Sequence, residues 1–209
     1  MKLILEGGVF GHMSHVYDNP ELTFGKMKEL FTAASAGELK GTEKTDGQNL
    51  FLSYDVKTDT GRAARNKGHI KAGGLDAAGL AAFFGGRGEI EVAFNEAFAA
   101  FENAVALFTP EEREQMFGPD TNIYYNAEVQ DPRAKNVIKY DTKTLTIHRA
   151  GHAEYDKETG KPVMVTDPET EQEVLKDISE SAEALANALE KTQEERQEYQ
   201  FRVEMNAIR

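Results

Sequence analysis

Three side chains have the type and surroundings for chemistry: a lysine at a strand end, an arginine about twenty residues later, and a glutamate in an apolar strand. Lys44 lies in Gly41-Thr42-Glu43-Lys44-Thr45-Asp46-Gly47-Gln48-Asn49-Leu50, just before an Asp46-Gly47 turn signal. A strand ending in Asp-Gly is commonly only a hairpin. Ala63-Ala64-Arg65-Asn66-Lys67-Gly68 closes the next strand. Tyr124-Tyr125-Asn126-Ala127-Glu128-Val129 then delivers one carboxylate, Glu128, among apolar neighbours. A half-buried carboxylate needs a metal, a hydroxyl or a cation. A lysine amine attacks only when neutral, although it ordinarily titrates near about 10.4. Desolvation and nearby cations can lower that value.

The elements that position these groups follow from periodicity. Met1–Asn19 reads as an arm, so a first segment spans 1–20. Glu21–Ala34, Leu75–Phe84 and Ile90–Phe108 have helical spacing, the last with Phe94, Phe98, Phe101, Val105 and Phe108 as one core stripe. Thr109-Pro110-Glu111-Glu112 starts another helix. Leu39–Tyr54 reads as two strands around a turn, and Gly61–Asn66 as a third. Asn122–Val129, Val137–Ile138 and Thr144–Arg149 read as strands, and His152–Asp156 with Val163–Thr166 as a hairpin. Gly85-Gly86-Arg87-Gly88 reads as a link between helices. The main domain then spans 21–166. Asp167 and Pro168 open a charged helix to about Gln200, within a C-terminal helical segment spanning 167–209. Helices and strands mix without strict alternation, so the fold class is α+β with antiparallel sheet.

The 209 residues suffice for a core without staples, and the absence of cysteine excludes a disulfide scaffold, a thiol nucleophile and cysteine-ligated metal. No apolar run reaches membrane-spanning length, so no membrane partner and a cytoplasmic location are expected. The net charge of −12 is uneven. Glu89–Asp120 holds eight acids against Arg113 alone, and Glu169–Gln200 ten acids against three bases. Arg62, Arg65, Lys67 and Lys71 meanwhile sit in a stretch without any acid. Acidic helices joined to a neutral-to-basic working part leave anionic ligands open. His12, His15 and Asp18 lack a convergent further ligand, and metal ligands are left unassigned.

Glu43-Lys44-x-x-Gly47-x-Asn49, with its Lys-x-Asp-Gly core, resembles the nucleotidyl-accepting motif of ATP-dependent RNA and DNA ligases and capping enzymes. The closest likeness is to phage-type double-strand RNA ligases. Arg65 with Gly68 resembles that superfamily's next motif, and Asn126-Ala127-Glu128 its third. The resemblance implies antiparallel sheets of a ligase-type nucleotidyltransferase domain with peripheral acidic helices. It implies ATP and Mg²⁺ as cofactors and Lys44 as the residue that becomes lysyl-AMP. Glu43, Gly47, Asn49, Arg65, Lys67 and Glu128 would then bind nucleotide, in a pocket lined by the strands ending in Lys44, Arg65 and Glu128. The acceptor would be a polynucleotide end, RNA or a nicked duplex.

The superfamily's fourth motif, roughly Glu-Gly-x-Val-x-Lys, and its fifth, Lys-x-Lys, are not found in these 209 residues. That fits either a piece of a longer chain or a reduced relative. The stretch from Gly7 to Phe108 also resembles a family of tailed-bacteriophage proteins, which would place the chain in the infected bacterial host. Ile4-Leu5-Glu6 resembles sites cut by prohead proteases and leaves packaging in the virion open. The alternatives are therefore a virion or internal head protein, or a nucleotide- or RNA-binding module with Arg62–Lys71 tracking phosphate, each keeping the fold without catalysis.

Overall fold

The structure is a computed structural model and describes residues 21–39, 46–120, 123–134, 136–155, 162–164 and 199–203. The chain divides into two compact units, Met1–Thr45 and Asp46–Arg209. In the first, Thr23 opens helix α1 (Phe24–Ser35) by accepting the Lys26 N–H on its hydroxyl. That satisfies one of the donors every helix start leaves over. Phe24, Leu30 and Phe31 of α1 are exposed.

The second unit is built on a sheet. Leu50, Leu52 and Tyr54 of β1 (Gln48–Asp55) turn to the core at strand spacing, and Phe51 and Ser53 between them are buried as well, so the middle of the strand is covered on both sides rather than half buried. β1 lies antiparallel between β2 (Thr60–Ala64) and β3 (Ile123–Gln130), and β3 pairs antiparallel with β4 (Thr144–Tyr155). The far end of β4 carries β5 (Pro162–Met164) antiparallel, and its beginning carries β6 (Gln200–Val203) parallel. The architecture is thus mixed helix and sheet around a four-stranded antiparallel core.

Between β2 and β3 run α2 (Lys67–Lys71), α3 (Ala77–Phe84), α4 (Glu89–Val105) and α5 (Pro110–Phe117). Asp76 caps α3, and Thr109 with Glu112 forms a reciprocal capping box on α5, with Pro110 at its first position. Leu50, Leu52, Tyr54, Tyr125, Ala127, Val129, Leu145 and Ile147 form the core with the apolar faces of α3–α5. The expected stripe of α4 is buried at Phe94, Phe98, Phe101 and Val105, and Phe108 packs against its edge. Ala97, Ala100 and Ala104 widen that stripe; their short side chains let α4 seat closely on the sheet. The closest seat is at Gly61, where a Cβ would lie 2.6 Å from Glu102 Cγ.

Several expectations change. Asp46 and Gly47 form no turn but lead straight into β1, for reasons given below. Val137 and Ile138 are a bend rather than a strand, because their N–H groups bond a distant carboxylate instead of a ladder. The two strands expected around 144–156 are one continuous β4, with a register slip that leaves His148 as a bulge between the partners of Asn126 and Ala127. Helix α2 has no counterpart in the sequence reading. Gln200–Val203, within the segment expected to be helical, is the strand β6. Glu43, Lys44, the other strand of the Leu39–Tyr54 pair, His12, His15, Asp18 and the acidic helix from Asp167 lie outside the described residues.

Candidate functional site

The chain enters β1 at Asp46 and Gly47, and both are held by partners far away in sequence. The Asp46 carboxylate accepts the Val137 and Ile138 N–H groups, each at 2.7 Å, and the Asn136 side-chain amide at 3.0 Å. Its own N–H donates to the Tyr140 hydroxyl at 2.7 Å. The 136–140 loop between β3 and β4 therefore clasps one side chain through every polar group that side chain offers.

Gly47 is there for want of space rather than for a left-handed backbone. A Cβ at this position would lie 2.9 Å from Glu128 Cβ and 3.0 Å from the Val129 carbonyl oxygen. The Gly47 N–H donates to Glu128 Oε2 at 3.1 Å. We expect Gly47→Ala to destabilise the fold by about 1–3 kcal/mol, because the obstacle includes backbone that cannot rotate away. Urea unfolding measures this; a loss too small to detect would show that β3 can move aside.

Beyond Gly47, Asn49 stands opposite Glu128 in the register. Its side-chain amide donates to the Asn126 side-chain oxygen. Strand alternation puts Asn49, Asn126 and Glu128 on the face of the sheet opposite the one that carries Leu50, Ala127 and Val129 into the core. The structure thus brings together Gly47, Asn49 and Glu128 of the sequence-derived set, and adds Asp46, Asn126, Asn136 and Tyr140.

Arg65 arrives from the other side. Its guanidinium lies 5.0 Å from the centre of the Phe94 ring and 5.9 Å from that of Phe84, and its Nη1 donates to the Asn49 carbonyl oxygen. Burial, with the nearby Arg87 cation, pushes its pKa below the usual arginine value. Arg65 follows the core-facing parity of Ala63 and braces β1 from the helix side, whereas Glu128 has the parity of the opposite face. Lys67 is exposed at the first position of α2, which Asn66 caps by accepting the His69 N–H at 3.0 Å. Arg62, the first cation of the supposed phosphate track, is paired with Asp55 at 3.0 Å.

Comparison with protein-family models, curated proteins and solved structures gave no significant match. Among the described residues no group of three or more His, Asp or Glu converges as a metal site, and no helix is long and apolar enough to cross a membrane.

The Asp46 clasp had no local signal, since its partners lie some ninety residues away.

Proposed function

We propose that the chain is a ligase-type nucleotidyltransferase domain that takes AMP from ATP onto Lys44 and passes it to a polynucleotide end. The observation that carries the reading is the Gly47 N–H donating to the Glu128 carboxylate. It joins the segment directly following Lys44 to the glutamate strand that the ligase resemblance pairs with it. The covalent step is simple in its balance. The neutral Lys44 Nζ gives its lone pair to the α-phosphorus of ATP, the bond from that phosphorus to the α–β bridging oxygen breaks, pyrophosphate leaves with that electron pair, and the nitrogen sheds one proton to solvent. The product is a phosphoramidate.

In this reading Glu128 accepts ribose hydroxyls, Asn49 and Asn126 hold its strand against β1, and Arg65 keeps β1 in place rather than touching phosphate. Lys67 remains the described cation of the motif set that is exposed. Mg²⁺ would arrive with the triphosphate, held by phosphate oxygens and retained waters, and would offset the phosphate charge.

Incubation with α-labelled ATP and Mg²⁺ is expected to give an acid-labile adduct that maps to Lys44. Lys44→Ala should abolish it, because no other group replaces the attacking nitrogen. Glu128→Ala should weaken it. Lys57→Ala, which removes only an exposed pair with Asp120, should leave it unchanged. A wild-type chain that neither labels nor binds ATP would overturn the reading.

A further inference from the structure

The cations of the second unit whose side chains are described fall into two groups. Lys57, Arg62, Arg113, Arg133 and Lys143 each pair with a carboxylate. Arg65, Lys67, Lys71, Arg87 and Lys139 pair with none among the described residues. All of these but Lys139 gather at one corner, where α2 meets the link between α3 and α4. His69 of α2 meets the Phe83 ring edge-on, with centres 4.8 Å apart. The Arg87 guanidinium lies 4.9 Å from the centre of the same Phe83 ring. Arg87 and Arg65 also share the Phe84 ring, at 5.3 and 5.9 Å. Gly86 and Gly88, at φ 79° and 61°, supply the left-handed backbone with which the link turns around Arg87. Lys67, Lys71 and Arg87 are exposed, and His69 and Phe83 half-buried. The carboxylates close by in sequence do not neutralise the corner. Asp76 accepts the Gly79 N–H, Glu91 accepts the Gly86 N–H, and Glu89 forms no ion pair among the described residues.

We infer that Lys67, Lys71 and Arg87 form a binding surface for single-stranded nucleic acid, the lysines holding phosphates and Arg87 stacking a base. In a chain of net charge −12, cations left unpaired beside aromatic rings suit an anion from outside. Lys67 and Lys71 stand four residues apart, which puts two charges on one side of α2. A guanidinium backed by aromatic rings is weakly hydrated and can stack a base, as arginine planes do in single-strand recognition. A duplex keeps its bases stacked on one another, and an acidic peptide has none to offer. Under the proposed function this surface receives the acceptor strand, but it needs no adenylation of Lys44.

The test is fluorescence anisotropy of a labelled oligouridylate, titrated with the 209-residue chain at several salt concentrations. The affinity of the wild type should fall linearly with salt on logarithmic axes. The double variant Lys67→Ala, Lys71→Ala should bind more weakly, with that slope reduced by about 0.7 for each lysine removed. Arg87→Lys keeps the charge and hence the slope, but should weaken binding about tenfold through the lost stack. Lys57→Ala removes a cation already paired with Asp120 and should change neither. Unchanged urea midpoints confirm that the variants fold. A wild type that does not bind at low salt, or a double lysine variant with the wild-type slope, would overturn the inference. Tighter binding of the matching duplex, with Arg87→Lys unimpaired, would overturn it in favour of a duplex contact. Oligouridylate binding without lysyl-AMP formation would overturn the proposed function and leave this surface standing; lysyl-AMP formation without binding would do the reverse.

Discussion

Replacing Arg133 by alanine is expected to cost the fold about 3–5 kcal/mol, the usual penalty for removing one partner of a buried ion pair. Arg133 stands at the centre of a network joining the end of β3, helix α4 and the residue before β6. Its guanidinium reaches both Glu96 oxygens, at 3.0 and 2.6 Å, and both Asp131 oxygens, at 2.9 and 2.6 Å. Lys143 adds a bond to Glu96 at 2.6 Å. The Asp131 side chain is wholly buried, and the buried Tyr199 hydroxyl sits between that carboxylate and the Ala93 carbonyl. Its one proton serves one acceptor at a time. Without the Arg133 side chain the buried Asp131 charge would keep only the Tyr199 hydroxyl and the backbone N–H of residue 133, at 2.8 Å.

The same network sets a pH signature. Burial by itself would raise the Asp131 pKa, but the hydrogen bonds from Arg133 and Tyr199 outweigh it and hold the carboxyl down to about 2. Glu96 is held down to about 2 by Arg133 first, then by Lys143. A pKa lowered in the fold means stability that is complete above the ordinary carboxylate range near about 4 and lost as pH falls toward 2. In Arg133→Ala burial acts unopposed by that guanidinium, so the carboxyl no longer gains from being charged. The gap in stability between wild type and variant should therefore be widest near neutrality and shrink below about pH 4. At neutral pH the melting temperature should fall by roughly 10 °C. Thermal unfolding at pH 7 and pH 3 reads both; equal gaps at the two values would rule out an electrostatic origin.

Phe94→Ala is expected to cost a similar amount, about 3–5 kcal/mol. The ring is fully buried, stacks on Phe84 at 4.2 Å between centres, and carries the Arg65 guanidinium on its face. Its removal leaves a cavity in the core and takes away the surface on which Arg65 rests. Arg65 then holds the Asn49 carbonyl less firmly, so the start of β1 should loosen with the core. Phe94→Leu refills most of the volume without the aromatic face, and should keep most of the global stability while losing hydrogen-exchange protection along Gln48–Leu50. Urea unfolding of the alanine variant with a loss below about 1 kcal/mol would show that Phe94 is not the keystone the packing makes it.

The sequence by itself determined the local elements. A helix shows its period in the Phe94, Phe98, Phe101 and Val105 stripe, and the strand β1 shows its own in Leu50, Leu52 and Tyr54, because each burial face is written at a fixed spacing along the chain. Thr109, Pro110 and Glu112 announce a helix start for the same reason: the capping partners lie within one turn. The short α2 escaped because five residues carry barely one turn of pattern, and β6 because four residues next to a strongly acidic stretch carry none of their own.

Only the tertiary structure decided what surrounds the candidate site. Asp46-Gly47 looks locally like a hairpin turn, yet Asp46 is taken by residues 136–140 and Gly47 by Glu128. Arg65 looks like a phosphate contact, yet its strand parity turns it onto Phe94 and the Asn49 carbonyl. Asp131, Arg133, Glu96 and Tyr199 form one network from places with no mutual signal in the chain. The physical reason is shared. Periodicity reports which side of an element is buried, whereas a hydrogen bond between residues eighty or ninety apart depends on which strands become neighbours, and strand order is settled only when the whole sheet closes on its helices.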